Sequence, residues 1–251
     1  MNPAMIEGHA RDVDGAVAHV FVSALLDVIA VDGPDGHHLA RVRRLRNGEC
    51  ITASTGDGYW RAYGIVDAQA GALSLRAIGT ITREPLCGLH VTIVASLIPK
   101  ARFDDALVAM VELGVDRIVP LAAKRCVVRW EGAKAAAATA RLATLAREAA
   151  MQCRRSYLVE VGALHTPAQL RATDALVVAV FGGAQQHPAR AARGGAVVIA
   201  TGPEGGFDDD DLDAFGPHST LNLGPHVLRA ETASVAAVAI ARSFIDPAAA
   251  S

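Results

Sequence analysis

The feature that most constrains this chain is a change of hydrophobic rhythm near residue 85. Residues 90–97 read HVTIVASL, a near-continuous apolar run of the kind needed by a strand buried on both faces. Further apolar runs stand at 117–121, 175–180 and 196–200, and segments with helical spacing lie at 103–113, 133–153 and 230–244. Strands of this type separated by helices predict an α/β domain built on a mostly parallel sheet. The alanine-rich stretch 135–140 has strong helix propensity and belongs to the second of those helices.

Before the change, residues 18–23, 50–53, 60–66 and 73–81 are short segments of β-branched or alternating character. Turn clusters separate them: Asp32-Gly33-Pro34-Asp35-Gly36, Gly56-Asp57-Gly58 and Ala70-Gly71. One amphipathic interruption at 37–45 predicts a helical turn laid over a small β-barrel. Arg83-Glu84-Pro85 marks the boundary, which divides the chain into residues 1–84 and 85–251.

The 251 residues are 51% hydrophobic and 20% charged, enough apolar material for real cores. No run approaches the roughly 18 uninterrupted apolar residues of a membrane span. Glu7, Arg11, Asp12 and Asp14 break the basic-then-apolar order of a secretion signal. Cys50, Cys87, Cys126 and Cys153 lie far apart without a C-x-x-C pair, which supports neither a metal site nor a disulfide framework. A soluble protein of the reduced cytoplasm is expected. The net charge of −2 hides an asymmetry: 11 Lys/Arg face 6 Asp/Glu in residues 100–155, and 5 face 10 in residues 156–251. A phosphate-binding face needs only a local basic surface, and Arg41, Arg43, Arg44 and Arg46 form a second dense cluster, although a solvated face explains such a cluster equally well.

Three segments could carry chemistry. In the first, the run 197–200 enters Thr201-Gly202-Pro203-Glu204-Gly205-Gly206-Phe207, and a helix is expected to begin at Asp208 to Asp211. Ligands of open α/β sheets bind outside the carboxyl ends of strands, where this loop falls. It lacks the lysine of a P-loop and the G-x-G-x-x-G of a dinucleotide site. The aspartates, suited to capping and to the helix dipole, occupy the place of an anion, so a neutral or positively charged ligand is expected here. In the second segment, Leu221 to Ala233, a short strand ends in Gly224-Pro225 and leads into a helix. Glu231 suits the first turn of that helix, whereas Arg229 is unfavourable at a helix N-terminus and could instead stabilise negative charge developing on a substrate base. The third segment, Arg147 to Ser156, closes a basic helix with Gln152, Arg154 and Arg155, suited to a phosphate or a base edge.

Taken jointly, these motifs identify a resemblance. GPEGGF at 202–207, LGPHVLRAETA at 223–233, ELGV at 112–115, PLxxxRCV at 120–127, EAAMQCRR at 148–155 and HxxxVRRLRxGE from His38 to Glu49 resemble the RsmE family. Those enzymes are ribosomal RNA methyltransferases of the SPOUT class. The resemblance implies an N-terminal PUA-like barrel for RNA and a C-terminal parallel sheet with a trefoil knot. It further implies a homodimer, S-adenosylmethionine as cofactor with no metal, and methyl transfer to N3 of a uridine in the decoding region of small-subunit (16S) ribosomal RNA. Cofactor-binding residues would be Phe181, Gly182, Thr201, Gly202, Glu204, Gly205, Gly206, Leu223, Gly224, Val227 and Leu228. Arg229 would act on the anionic base, with Arg155 second and Glu231 or Glu204 as proton acceptor. Arg41, Arg43, Arg44, Arg102, Gln152 and Arg154 would hold RNA. Val108 and Ala109 replace a Gln-Lys pair common in relatives. A non-enzymatic RNA-binding protein and a SPOUT enzyme acting on another RNA are the alternatives.

Overall fold

The computed structural model describes residues 6–69, 71–86, 88–184 and 187–243. They fall into two compact units, bounded as Met1–Leu86 with Ala150–Leu158, and Cys87–Ala149 with Val159–Ser251. A single cut after residue 84 does not describe this division, because residues 150–158 join the N-terminal unit. Backbone pairing is the reason. Leu158 N–H donates to Gly56 O at 2.9 Å and Gly58 N–H donates to Ser156 O at 3.2 Å. Ser156 N–H donates to the Glu84 carboxylate at 2.6 Å, and Met151 packs on the N-terminal core. Contacts so distant in sequence leave no local signal.

The N-terminal unit contains β1 (Ile6–Glu7), β2 (Ala16–Phe21), β3 (Val28–Val31), β4 (Cys50–Ser54), β5 (Tyr59–Gln69), β6 (Ala72–Ala77) and β7 (Thr82–Arg83). They form one sheet in the order β1-β7-β5-β4-β2, with β6 also pairing β5 and β3. Alternation turns Val20, Ile51, Ala53, Tyr63, Ile65, Leu73 and Leu75 to a single core, so the sheet wraps around it. β2 and β3 do not pair with each other, which leaves the barrel open between them. The helix α1 (Gly33–His37) continues as a π-helical turn, His38–Val42, that inserts Leu39 into the core. The sequence expectation put Gly33 to Gly36 in a turn and started the helix at 37. Pro34 explains the difference, since at a first helical turn its missing N–H costs nothing and its fixed φ suits helix entry. The strand expected at 73–81 ends with β6 at Ala77, β7 starts only beyond it at Thr82, and β5 is longer than 60–66. The two-residue β1 and four-residue β3 are too short to show a period.

The C-terminal unit contains β8 (His90–Ser96), α2 (Lys100–Glu112), β9 (Arg117–Leu121), β10 (Glu160–Val161), β11 (Leu176–Ala179), β12 (Ala196–Thr201), α4 (Asp209–Phe215), β13 (Ser219–Leu221) and α5 (Ala230–Arg242). It also holds all but the last three residues of α3 (Ala133–Gln152). Its six strands are all parallel, in the order β10-β9-β8-β12-β11-β13. Val91–Ser96 of β8 is buried throughout, as a central strand covered on both faces must be. α2 and α5 pack on each other, and α5 lies on β8 and β12. Leu170 and Phe215 join Val94, Val119, Val178 and Ala200 in a cluster. The helix expected at 230–244 is described to Arg242; Phe244, like Ala70 and Cys87, lies outside the described residues.

Candidate active site

Parallel strands release their following loops along one edge of the sheet. Here β12, β11 and β13 are neighbours, so the loops after them emerge side by side and enclose a cavity of about 260 Å³. The loop after β12 closes on itself through Gly206 N–H donating to Pro203 O at 2.8 Å. Gly206 takes φ +68°, the left-handed region open to glycine at little cost. The loop after β11 is bound to β13: Val180 N–H donates to Leu221 O, and Asn222 N–H to Ala184 O, both at 3.0 Å. Gly183 sits where a Cβ would lie 3.0 Å from Val180 Cγ2 and 3.2 Å from the Leu221 backbone carbon, so a side chain there would need the neighbouring atoms to give slightly.

Of the residues expected to bind a cofactor, Phe181, Gly202, Glu204, Gly206, Leu223, Val227 and Leu228 line this cavity. Thr201 is fully buried behind the loop, its hydroxyl 2.8 Å from that of Ser234 on α5. Gly205 faces outward to Arg125, whose guanidinium donates to Gly205 O at 2.9 Å. Gly182, at φ +74°, shapes a turn beside the cavity, and neither it nor Gly224 is among the lining residues. The lining also includes Pro203, Phe207 and His226, which lie inside the motifs quoted above, and Asn222, which stands just before the second. Asn222 Oδ1 accepts from Gly224 N–H at 3.3 Å, which pins the start of the third loop.

Charge is arranged in two groups around these loops. Arg102, on the first turn of α2, places Nη1 2.9 Å from Glu204 Oε1 and 3.7 Å from Glu231 Oε2. In this RNA-free structure its guanidinium, expected from the sequence to hold RNA, lies against the carboxylates of both motifs. Arg229 is the exposed N-cap residue of α5, next to Ala230, which lines the cavity. On the outer side, Lys124 pairs with Asp208 at 3.1 Å and also with Asp210, and Arg125 pairs with Asp208 at 3.2 Å. Asp208 caps α4 by accepting from Asp210 N–H at 3.1 Å, the helix-capping role expected of these aspartates. That backbone hydrogen bond, with help from Lys124, holds the Asp208 carboxyl below the usual range. Among the described residues, no three His, Cys, Asp or Glu are grouped to hold a metal ion, and no helix is long and apolar enough to cross a membrane.

The remaining candidates belong to the N-terminal unit. Gln152 is the exposed last residue of α3, and the Arg155 backbone N–H donates to Ala150 O at 2.9 Å. Arg154 takes φ +57° and Arg44 φ +55°, both left-handed. Arg41 and Arg44 are exposed, whereas Arg43 donates to Val17 O at 2.8 Å, so its guanidinium is partly committed to the fold.

Comparison with known proteins places this arrangement. Residues 85–242 match a family described as an RNA methyltransferase domain, and residues 31–78 match an RNA methyltransferase PUA domain. Ribosomal RNA small subunit methyltransferase E of Mycobacterium bovis is 35% identical over 225 residues, 84% of each chain. The protein of that name from Bacillus subtilis is 26% identical, covering 83% of this chain and 87% of its own. A crystal structure of ribosomal RNA small subunit methyltransferase E from Neisseria gonorrhoeae, bound to S-adenosyl methionine, superposes with TM-score 0.75 at 26% identity, over 88% of this chain and 95% of that one. With the domain match spanning more than half its length, this chain belongs to the ribosomal RNA small subunit methyltransferase E (RsmE) family of RNA methyltransferases.

Proposed function

We propose that this protein transfers a methyl group from S-adenosylmethionine to N3 of a uridine in the decoding region of small-subunit (16S) ribosomal RNA, as a cytoplasmic homodimer. The observation that carries the reading is the cavity itself. Its loops follow three adjacent parallel strands, and its walls join apolar side chains to a carboxylate. Such a lining fits the group: Phe181, Leu223, Val227 and Leu228 offer apolar surface to the nucleoside, and Glu204 offers negative charge to a cationic ligand. When bound, the cofactor supplies an electrophilic methyl on a sulfonium. In this reading residues 1–84, joined by 150–158, form a PUA-like RNA-binding domain and the rest of 85–251 a knotted SPOUT methyltransferase domain.

The protein's own task is to make uridine N3 a nucleophile. Loss of the N3 proton spreads negative charge over the base carbonyls, and the Arg229 guanidinium would stabilise that anion. Glu231, two residues along the first turn of α5, would accept the proton. Arg155 with Gln152 and Arg154, and Arg41, Arg43 and Arg44, would hold RNA phosphates or base edges. The test is transfer from labelled S-adenosylmethionine to small ribosomal subunits lacking this modification, with the nucleotide mapped by mass spectrometry. One N3-methyluridine in the decoding region is expected. Cofactor binding without transfer to the subunit would point to another RNA, and neither binding nor transfer would leave an RNA-binding protein.

A further inference from the structure

We infer that Arg102 is a positioning residue of the pocket: by holding Glu204 and Glu231 on one guanidinium, it ties the 202–207 loop to the first turn of α5. The inference rests on the methyl-transfer reading for its kinetic consequence, but not for its geometry. Three elements distant in sequence meet at this cation: the start of α2, the loop after β12, and the start of α5. Glu204 lines the cavity, and Glu231 follows Ala230, which with Ala233 brings α5 to it. Without a cation between them, two carboxylates converging on one point would repel and the loop would swing away from the helix. Glu231 Oε2 is buried without a hydrogen bond in the described structure, and the Arg102 cation is the charge 3.7 Å from it.

The side chains of Arg102, Glu204 and Glu231 are 41%, 37% and 20% exposed. Ion pairs this open to water add little to overall stability. Their consequence lies in placement, because a displacement of about 1 Å at a reacting centre can cost about a hundred-fold in rate. A phosphate contact by Arg102, the role expected from sequence, makes the opposite demand. It would need the guanidinium directed at RNA and would show in the affinity for the subunit.

The test compares full-length Arg102→Met and Arg102→Lys with the parent protein, each also in a Glu204→Gln background. Amide hydrogen exchange across residues 202–207 and 229–234 reads placement directly, and single-turnover transfer with subunit KM reads its effect. Arg102→Met is expected to speed exchange in both segments and to slow transfer about ten-fold, with subunit KM within about two-fold. Arg102→Lys should recover most of the rate, and the Met change should matter less once Glu204 has lost its charge. Unchanged exchange, effects that add fully in the Glu204→Gln background, or a rise in subunit KM as the main effect would overturn the inference. Should the parent protein transfer no methyl to the subunit, the proposed function fails, and the exchange comparison still decides the role of Arg102.

Discussion

The two units set their buried hydrogen-bonded side-chain pairs in different places. In the C-terminal unit the buried Thr201–Ser234 pair sits at the carboxyl end of β12, directly behind the cavity-lining loop. The N-terminal unit places its buried histidine across two neighbouring strands: His19 on β2, the last strand of its order, is 3% exposed, with Nδ1 2.8 Å from Thr52 Oγ1 and Nε2 3.0 Å from Ser54 Oγ on β4. A parallel sheet gathers all its functional loops at one edge, so polar residues there serve a site. A sheet wrapped on itself has no such edge, and its buried imidazole serves pairing between strands. Burial, aided by the charge of Arg154, pushes the His19 pKa down to about 4. In the C-terminal unit, Asp104 and Asp208 are held below the usual carboxylate range.

The largest effect that could sharpen this contrast is at Arg229. Arg229→Ala should slow methyl transfer roughly a thousand-fold, the upper range for losing one charge-stabilising donor. Cofactor affinity measured by calorimetry should be nearly unchanged. A large loss of that affinity would assign Arg229 to the cofactor pocket instead of the reacting base.

Next is acid sensitivity. His19 binds a proton less readily folded than unfolded, so its contribution to stability is complete above pH 6.5 and is lost as pH falls toward about 4. The loss amounts to about 3 kcal/mol in the N-terminal unit at the low end. The lowered carboxyls of the other unit lose their contribution only as pH falls below the ordinary carboxylate range and through their own lower values. Urea unfolding of single-tryptophan variants, retaining Trp60 or Trp130, separates the two units. Equal sensitivity of both between pH 6.5 and 4 would break the comparison, as would an unchanged slope in His19→Asn.

Thr201→Val tests the buried pair behind the site. It removes one hydrogen bond to Ser234, whose hydroxyl still lies 3.2 Å from Ala230 O. A destabilisation of about 1 kcal/mol is expected, seen through Trp130 and absent through Trp60. The smallest effect is assigned to Arg125→Ala. The pairs it breaks with Gly205 and Asp208 are exposed, so stability should change by less than about 1 kcal/mol while cofactor affinity weakens a few-fold through the loosened loop. Unchanged affinity would show that the loop holds its shape without this clamp.

Much of the fold was legible because hydrophobic period is a local property of a chain. The runs at 90–97, 117–121 and 196–200 announced β8, β9 and β12, and helical spacing announced α2, α3 and α5. Glycine-rich turns after apolar runs pointed to the loops 202–207 and 223–229, because a strand end followed by small residues is itself a sequence pattern. The early start of α1 was hidden by residues that also favour turns.

What the sequence determined by itself is therefore the succession of elements, the two kinds of sheet and the loops that line the cavity. The order of strands came only with the tertiary structure: β11 lies between β12 and β13, and that arrangement brings their three loops together. It alone put residues 150–158 in the N-terminal unit and brought Arg102 to Glu204 and Glu231. The physical reason is the same each time. Burial and spacing are written along the chain, whereas a hydrogen bond or ion pair between residues a hundred positions apart depends on where folding has carried both ends.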